Sequence, residues 1–123
     1  MLPARNGYRS TEGSRIIDLV FFDGTTMDLT SFRESTADPK PPADLGFALQ
    51  ALWWDAKGDW DKAHECAQAR DDDAGMSVHA YLHRKEGDLS NAGYWYRRCG
   101  RPPATVTLEQ EWQALAEELL GAA

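Results

Sequence analysis

Two stretches of this chain match each other at an offset of 29 residues. Each contains an alanine inside a run of helical spacing, Ala51 or Ala80, and a Gly-Asp pair begins seven residues later, at positions 58–59 or 87–88. A repeat of this length is typical of proteins built from stacked helix pairs. Because such stacks serve many functions, the repeat predicts an architecture more sharply than it predicts an activity.

The composition fits one compact domain with its own hydrophobic core. The chain has 123 residues, of which 42% are hydrophobic, and this is enough apolar surface for a core. Its two cysteines, Cys66 and Cys99, occupy non-equivalent positions in the two repeats. They therefore predict free buried thiols rather than a disulfide framework or a paired CxxC metal motif.

Charge and hydropathy exclude several classes of partner. The net charge of −7 repels phosphate backbones and argues against nucleic-acid binding. No run approaches the roughly 18 apolar residues of a membrane span, and the N-terminus lacks the apolar stretch of a secretory signal. We therefore expect a cytoplasmic protein with no membrane partner.

Residues 1–42 differ in character from the rest of the chain. We predict an N-terminal arm here, with a flexible polar tail over 1–15, an extended or β-hairpin segment over 16–32 and a proline-rich linker over 33–42. Residues 43–123 then form a helical domain.

The predicted hairpin rests on β-prone side chains. They fill residues 16–22, Asp-Gly follows at 23–24 as a hairpin-type turn, and Met27, Leu29 and Phe32 make a weaker second arm. A lone hairpin is marginal in water, so this segment should lie against the helical body or join a partner's sheet. This interpretation leaves a homodimer open.

The remaining sequence predicts an all-α domain of two antiparallel helix pairs and a C-terminal capping helix. The glycines at 58 and 87 fit left-handed helix ends, and the aspartates that follow them should cap the next helices. After two prolines, Thr107 and Gln110 predict a capping box that opens the last helix. The predicted helices of the two pairs cover about 44–57, 59–70, 74–86 and 88–99.

The turn sequences GDWDKA (58–63) and GDLSNA (87–92), each after a helix with a small residue seven positions earlier, resemble tetratricopeptide repeats. The resemblance covers about 43–103, with a period of 29 in place of the family's roughly 34 residues. It implies a right-handed helical stack that binds a peptide or another protein in its groove without catalysis. The stretch VHAYLHRKEGDLSNAGYWYRR also resembles a segment of short bacterial and fungal proteins.

A basic and aromatic segment makes the best candidate for a binding surface. Exposed tyrosine and arginine are favoured at interfaces, and arginine can bind a carboxylate or phosphate through two hydrogen bonds. The alternative is that Arg97 and Arg98 pair with the acidic residues 71–73 or simply face solvent. The candidate binding residues are Trp54, His79, His83, Arg84, Tyr94, Arg97 and Arg98.

Three histidines form an alternative candidate site. His79 and His83 are four residues apart on one helix and share a face, so they can present two imidazoles to one divalent metal such as zinc, and His64 could supply a third. The competing interpretation makes His83 a packed core residue in the position that Trp54 holds in the first repeat. No HExxH motif and no serine or cysteine nucleophile motif accompanies the histidines, so we assign no catalytic residue.

The favoured interpretation is a non-catalytic scaffold that binds a protein or peptide and needs no cofactor. The alternative is a small-molecule or metal-binding protein, even an enzyme, with its site around His64, His79 and His83.

Overall fold

The computed structural model describes residues 27–121, and this range contains helices and no strand. The all-α class is therefore confirmed. None of the helices in this range is both long and apolar enough to cross a membrane. The helices are α1 (Leu29–Ser35), α2 (Phe47–Ala56), α3 (Trp60–Ala67), α4 (Asp73–Glu86), α5 (Leu89–Arg98) and α6 (Leu108–Gly121).

Helix α1 replaces the predicted second arm of the hairpin, so the prediction of a strand over 27–32 is wrong. The Asp28 carboxylate caps the helix by accepting the backbone N–H three residues further on, at 2.8 Å. Phe32 is completely buried and stacks on Trp112 with 5.8 Å between the ring centroids. A cap and one buried aromatic suffice for a short helix that packs on the domain. The other arm and the turn, residues 16–24, lie outside the described residues.

Both Gly-Asp turns have the geometry that the sequence predicts. Gly58 and Gly87 adopt φ angles of 86° and 92°, in the left-handed region that favours glycine. The carboxylates of Asp59 and Asp88 then accept backbone N–H groups in the first turns of α3 and α5, at 3.0 and 3.2 Å. The chain therefore reverses sharply after α2 and after α4, which brings α3 onto α2 and α5 onto α4.

One main core joins most of the helices. Trp53 of α2 and Leu82 of α4 are completely buried in it, and α6 closes one side through Trp112. The Trp112 indole N–H donates to the Leu52 carbonyl oxygen at 3.0 Å, which ties α6 to α2. The predicted capping box opens α6, because the side chains at 107 and 110 each accept the other's backbone N–H at 3.1 Å.

Polar contacts complete the packing. The buried Asp55 carboxylate accepts from the Tyr81 hydroxyl at 2.7 Å and from the Lys85 ammonium at 2.8 Å, which fixes the end of α2 to α4. Cys66 and Cys99 are free thiols, as predicted, but they are half-buried rather than fully buried. Burial raises the pKa of both thiols.

Candidate metal centre

Two adjacent helices bring the three histidines together. His64 lies on α3, whereas His79 and His83 lie one turn apart on α4. Because α3 packs against α4, the ring of His64 meets the face of α4 that carries the other two. One donor atom from each residue lies within 4.8 Å of a donor atom of each of the others. The sequence predicted that His79 and His83 share a face and named His64 as a candidate third ligand, and the structure brings the three rings together.

Each of the three imidazole rings has a nitrogen atom close to a nitrogen atom of the other two. The Nε2 atoms of His64 and His79 are 2.9 Å apart, so one ring donates a hydrogen bond and the other accepts it. The ring centroids are 4.6 Å apart for this pair, 4.8 Å for His79 and His83, and 5.2 Å for His64 and His83. Imidazole nitrogens therefore converge on one small volume.

Glu86 orients the third imidazole. Its Oε2 atom lies 2.7 Å from Nδ1 of His83, so Nδ1 carries the proton and donates it to the carboxylate. In the neutral ring, Nε2 of His83 then carries the lone pair. A histidine that gives its second N–H to a carboxylate in this way is the usual arrangement around a bound metal, because the carboxylate fixes the tautomer and the ring plane.

Two tryptophans support the other two rings. Trp60 stacks on His64 with 4.9 Å between centroids and 12° between planes, and Trp95 stacks on His79 with 4.0 Å and 18°. The Trp60 indole N–H donates to the Leu82 carbonyl oxygen at 3.0 Å, so this ring is itself held in place. The planes of the histidine rings are therefore set by their neighbours.

Burial disfavours a positive charge on two of the three rings, those of His79 and His64. His79 and His83 are only 5% and 6% exposed, whereas His64 is half-buried. Desolvation, with repulsion from His64 and His83 as the smaller cause, lowers the pKa of His79 to about 4. Desolvation and the proximity of His83 also lower the pKa of His64. Neutral imidazole is the form that binds metals, and the ring that donates the hydrogen bond between His64 and His79 would first move its proton from Nε2 to Nδ1.

The predicted binding residues on α5 lie at the surface. Tyr94 is 46% exposed, and Arg97 and Arg98 are exposed as well. The guanidinium of Arg98 lies 5.2 Å from the centre of the Trp95 ring and makes a long ion pair of 3.4 Å with Asp71. The alternative in which the basic residues pair with the acidic segment 71–73 is therefore realised for Arg98.

Arg84 and Trp54 do not join that surface. Arg84 donates to the buried Glu111 carboxylate at 2.8 Å and to the Val106 carbonyl oxygen, which commits it to the contact between α4 and α6. Trp54 is half-buried with its ring edge-on to Trp53, and the Lys62 ammonium lies 4.3 Å from its ring centre. The seven candidate residues thus occupy several separate environments.

Sequence reasoning did not identify the partners of the histidines. Glu86 follows His83 by three residues, a spacing that places both on one side of a helix, so this pair could have been found. Trp60 precedes His64 by four residues and carries the same signal. The stacking of Trp95 on His79 joins two helices and has no such local signal.

Comparison of the chain with models of protein families, with curated proteins and with solved structures finds no significant match. We therefore infer function from the geometry of the described residues.

Proposed function

We propose that this protein binds a divalent transition metal through His64, His79 and His83. The observation that carries the proposal is the convergence of three imidazole donor atoms within 4.8 Å of one another. The geometry thus favours the alternative that the sequence ranked second.

The hydrogen bonds of the centre support a metal better than simple packing. A buried polar atom normally has a hydrogen-bond partner. The contact between His64 and His79 uses one nitrogen of each ring, and Glu86 uses Nδ1 of His83. Among residues 27–121, no hydrogen bond to Nε2 of His83 is present, although this ring is only 6% exposed. A metal would use that lone pair.

The donor set favours borderline metals. Three neutral imidazoles suit Zn²⁺, Cu²⁺ or Ni²⁺, whereas Mg²⁺ and Ca²⁺ prefer oxygen ligands. Zinc-to-nitrogen bonds of about 2.0–2.1 Å in a tetrahedral site separate the nitrogens by roughly 3.3 Å. The 2.9 Å pair would open by a few tenths of an ångström, which small side-chain rotations supply.

The test is native mass spectrometry and calorimetry with Zn²⁺ on protein without a histidine tag. We expect one metal ion for each chain, removed by a chelator. His64→Gln removes a half-buried ligand and should weaken affinity by more than about tenfold, since loss of an outer hydrogen-bond partner alone costs about 10–100-fold. Cys66→Ser, on the same helix, is the matched control and should bind as the wild type does. Absence of stoichiometric metal, or equal affinity of folded His64→Gln, would show that the histidines only pack.

A second function is favoured by the exposed surface of α5. Here we propose that the pairs α2–α3 and α4–α5 are tetratricopeptide-like repeats and that Leu89, Tyr94 and Arg97 bind a protein or peptide. Leu89 is 68% exposed and Tyr94 46%. Exposed apolar, tyrosine and arginine side chains on one helix are a composition found at binding surfaces. A partner captured by the wild type and lost with Tyr94→Ala and Arg97→Ala, but kept with Gln113→Ala on α6, would support this function.

A further inference from the structure

We propose that the three-histidine centre keeps one coordination position open for a small exchangeable ligand, water or a monodentate donor such as azide or imidazole. This inference rests on the proposed metal binding and concerns what the bound metal can do. A centre with an open position can bind a further ligand, whereas a centre without one only holds α3 and α4 together.

The centre offers three protein ligands, one fewer than zinc prefers. Zinc prefers four ligands, and structural sites fill all four with protein atoms, whereas reactive sites use three and leave one to solvent. The group that converges here contains three residues, all of them histidines. Among the described residues no fourth donor joins these three within the 4.8 Å limit.

The two carboxylates that group with His83, those of Glu86 and Asp88, already accept hydrogen bonds. Glu86 and Asp88 form a second group with His83, but Glu86 accepts from Nδ1 of that ring. Asp88 caps α5 by accepting the Asn91 backbone N–H at 3.2 Å. Neither carboxylate lies within the 4.8 Å limit of all three histidine donor atoms.

Cys66, the cysteine closest to His64 in the sequence, also points away from the three histidines. Cys66 follows His64 by two residues, and residues two apart on a helix do not share a face. Its side chain lines a different cavity, of about 440 Å³, together with residues such as Phe47 and Leu119. The fourth position is therefore left to solvent rather than to sulfur.

The surroundings restrict the size of the ligand. His79 and His83 are buried, whereas His64, on α3, is the half-buried member of the centre. The indoles of Trp60 and Trp95 cover the faces of His64 and His79. A ligand must enter between these walls, which favours a small monodentate donor over a chelating one.

The test uses the protein loaded with Co²⁺ in place of Zn²⁺, because the visible absorption of Co²⁺ reports its coordination. We expect the intense bands of four-coordinate cobalt, and a saturable change when azide or imidazole is added, with elemental analysis showing that cobalt stays bound. Dialysis should restore the first spectrum.

The outcomes separate the two proposals. If the protein takes up no cobalt and no zinc, the proposed function fails. If cobalt binds with the dependence on His64 described above but neither azide nor imidazole alters the spectrum, metal binding stands and the open position is refuted. A strong thiolate-to-cobalt band that Cys66→Ser removes would also refute it, because a cysteine would then hold the fourth position.

Discussion

Acid should destabilise the metal-free protein through His79. This ring is 5% exposed, lies 4.0 Å from the Trp95 ring and 4.8 Å from the His83 ring, and has His64 Nε2 at 2.9 Å from its own Nε2. A proton on His79 would place a charge in this desolvated cluster. The pKa of His79 is therefore lowered from 6.5 to about 4, first by burial and then by the other two histidines.

The size of the effect follows from this difference. The unfolded chain takes up a proton near 6.5 and the folded chain only near 4, so stability is fully present above 6.5 and is lost as the pH falls toward 4. At about 1.36 kcal/mol for each pKa unit, the complete loss is at most about 3 kcal/mol. Between about pH 7 and pH 5, where most carboxylates are still ionised, the expected loss is about 2 kcal/mol.

Urea denaturation of chelator-treated protein at the two pH values measures this loss. His79→Phe is the comparison, because phenylalanine keeps an aromatic ring against Trp95 but cannot take up a proton. The free energy of unfolding of the wild type should fall by about 2 kcal/mol more than that of His79→Phe. Equal losses in the two proteins would refute the idea that the buried imidazole resists protonation.

Three further changes test the site and the fold. Glu86→Gln should lower zinc affinity about 10–100-fold in calorimetry and leave the helical circular dichroism unchanged, because it removes only the acceptor that orients an imidazole. Gly87→Ala should lower the free energy of unfolding in urea by about 1 kcal/mol or more, because alanine is strained at a φ of 92°. Gly93→Ala, inside α5, should raise it by about 0.5–1 kcal/mol, because only the flexible end of an arginine lies 3.4 Å from the added Cβ. A loss of stability at both sites would contradict this expectation. Glu111→Ala should cost about 3–5 kcal/mol, because it leaves a half-buried arginine and a buried tyrosine without the carboxylate that accepts from both. Glu109→Ala, which breaks an exposed ion pair, should cost less than about 1 kcal/mol.

Features that depend on a few neighbouring residues could be predicted from the sequence. The turns at 58–59 and 87–88 need a left-handed glycine and a carboxylate that reaches N–H groups within the next turn of helix. The capping box before α6 is equally local. Each of these predictions is confirmed because every atom involved lies within a few residues of the others.

The prediction over 27–32 failed because local spacing left two answers open. Met27, Leu29 and Phe32 are compatible with a weak strand as well as with one short helix. The choice between strand and helix depends on the contact of Phe32 with Trp112, a residue near the other end of the sequence. A pattern in so short a segment has too few turns to specify its own periodicity.

The sequence by itself determined that the described residues after about 43 form helices, and where the two tight turns lie. It also determined that His79 and His83 share a face, because the pitch of a helix fixes which residues line up. Only the tertiary structure decided that His64 joins them and that Arg84 turns away to Glu111. These contacts cross between helices, so they depend on how the buried faces pack. Residue spacing along one helix carries no information about that packing, and the candidate metal centre therefore emerges only when α3 lies on α4.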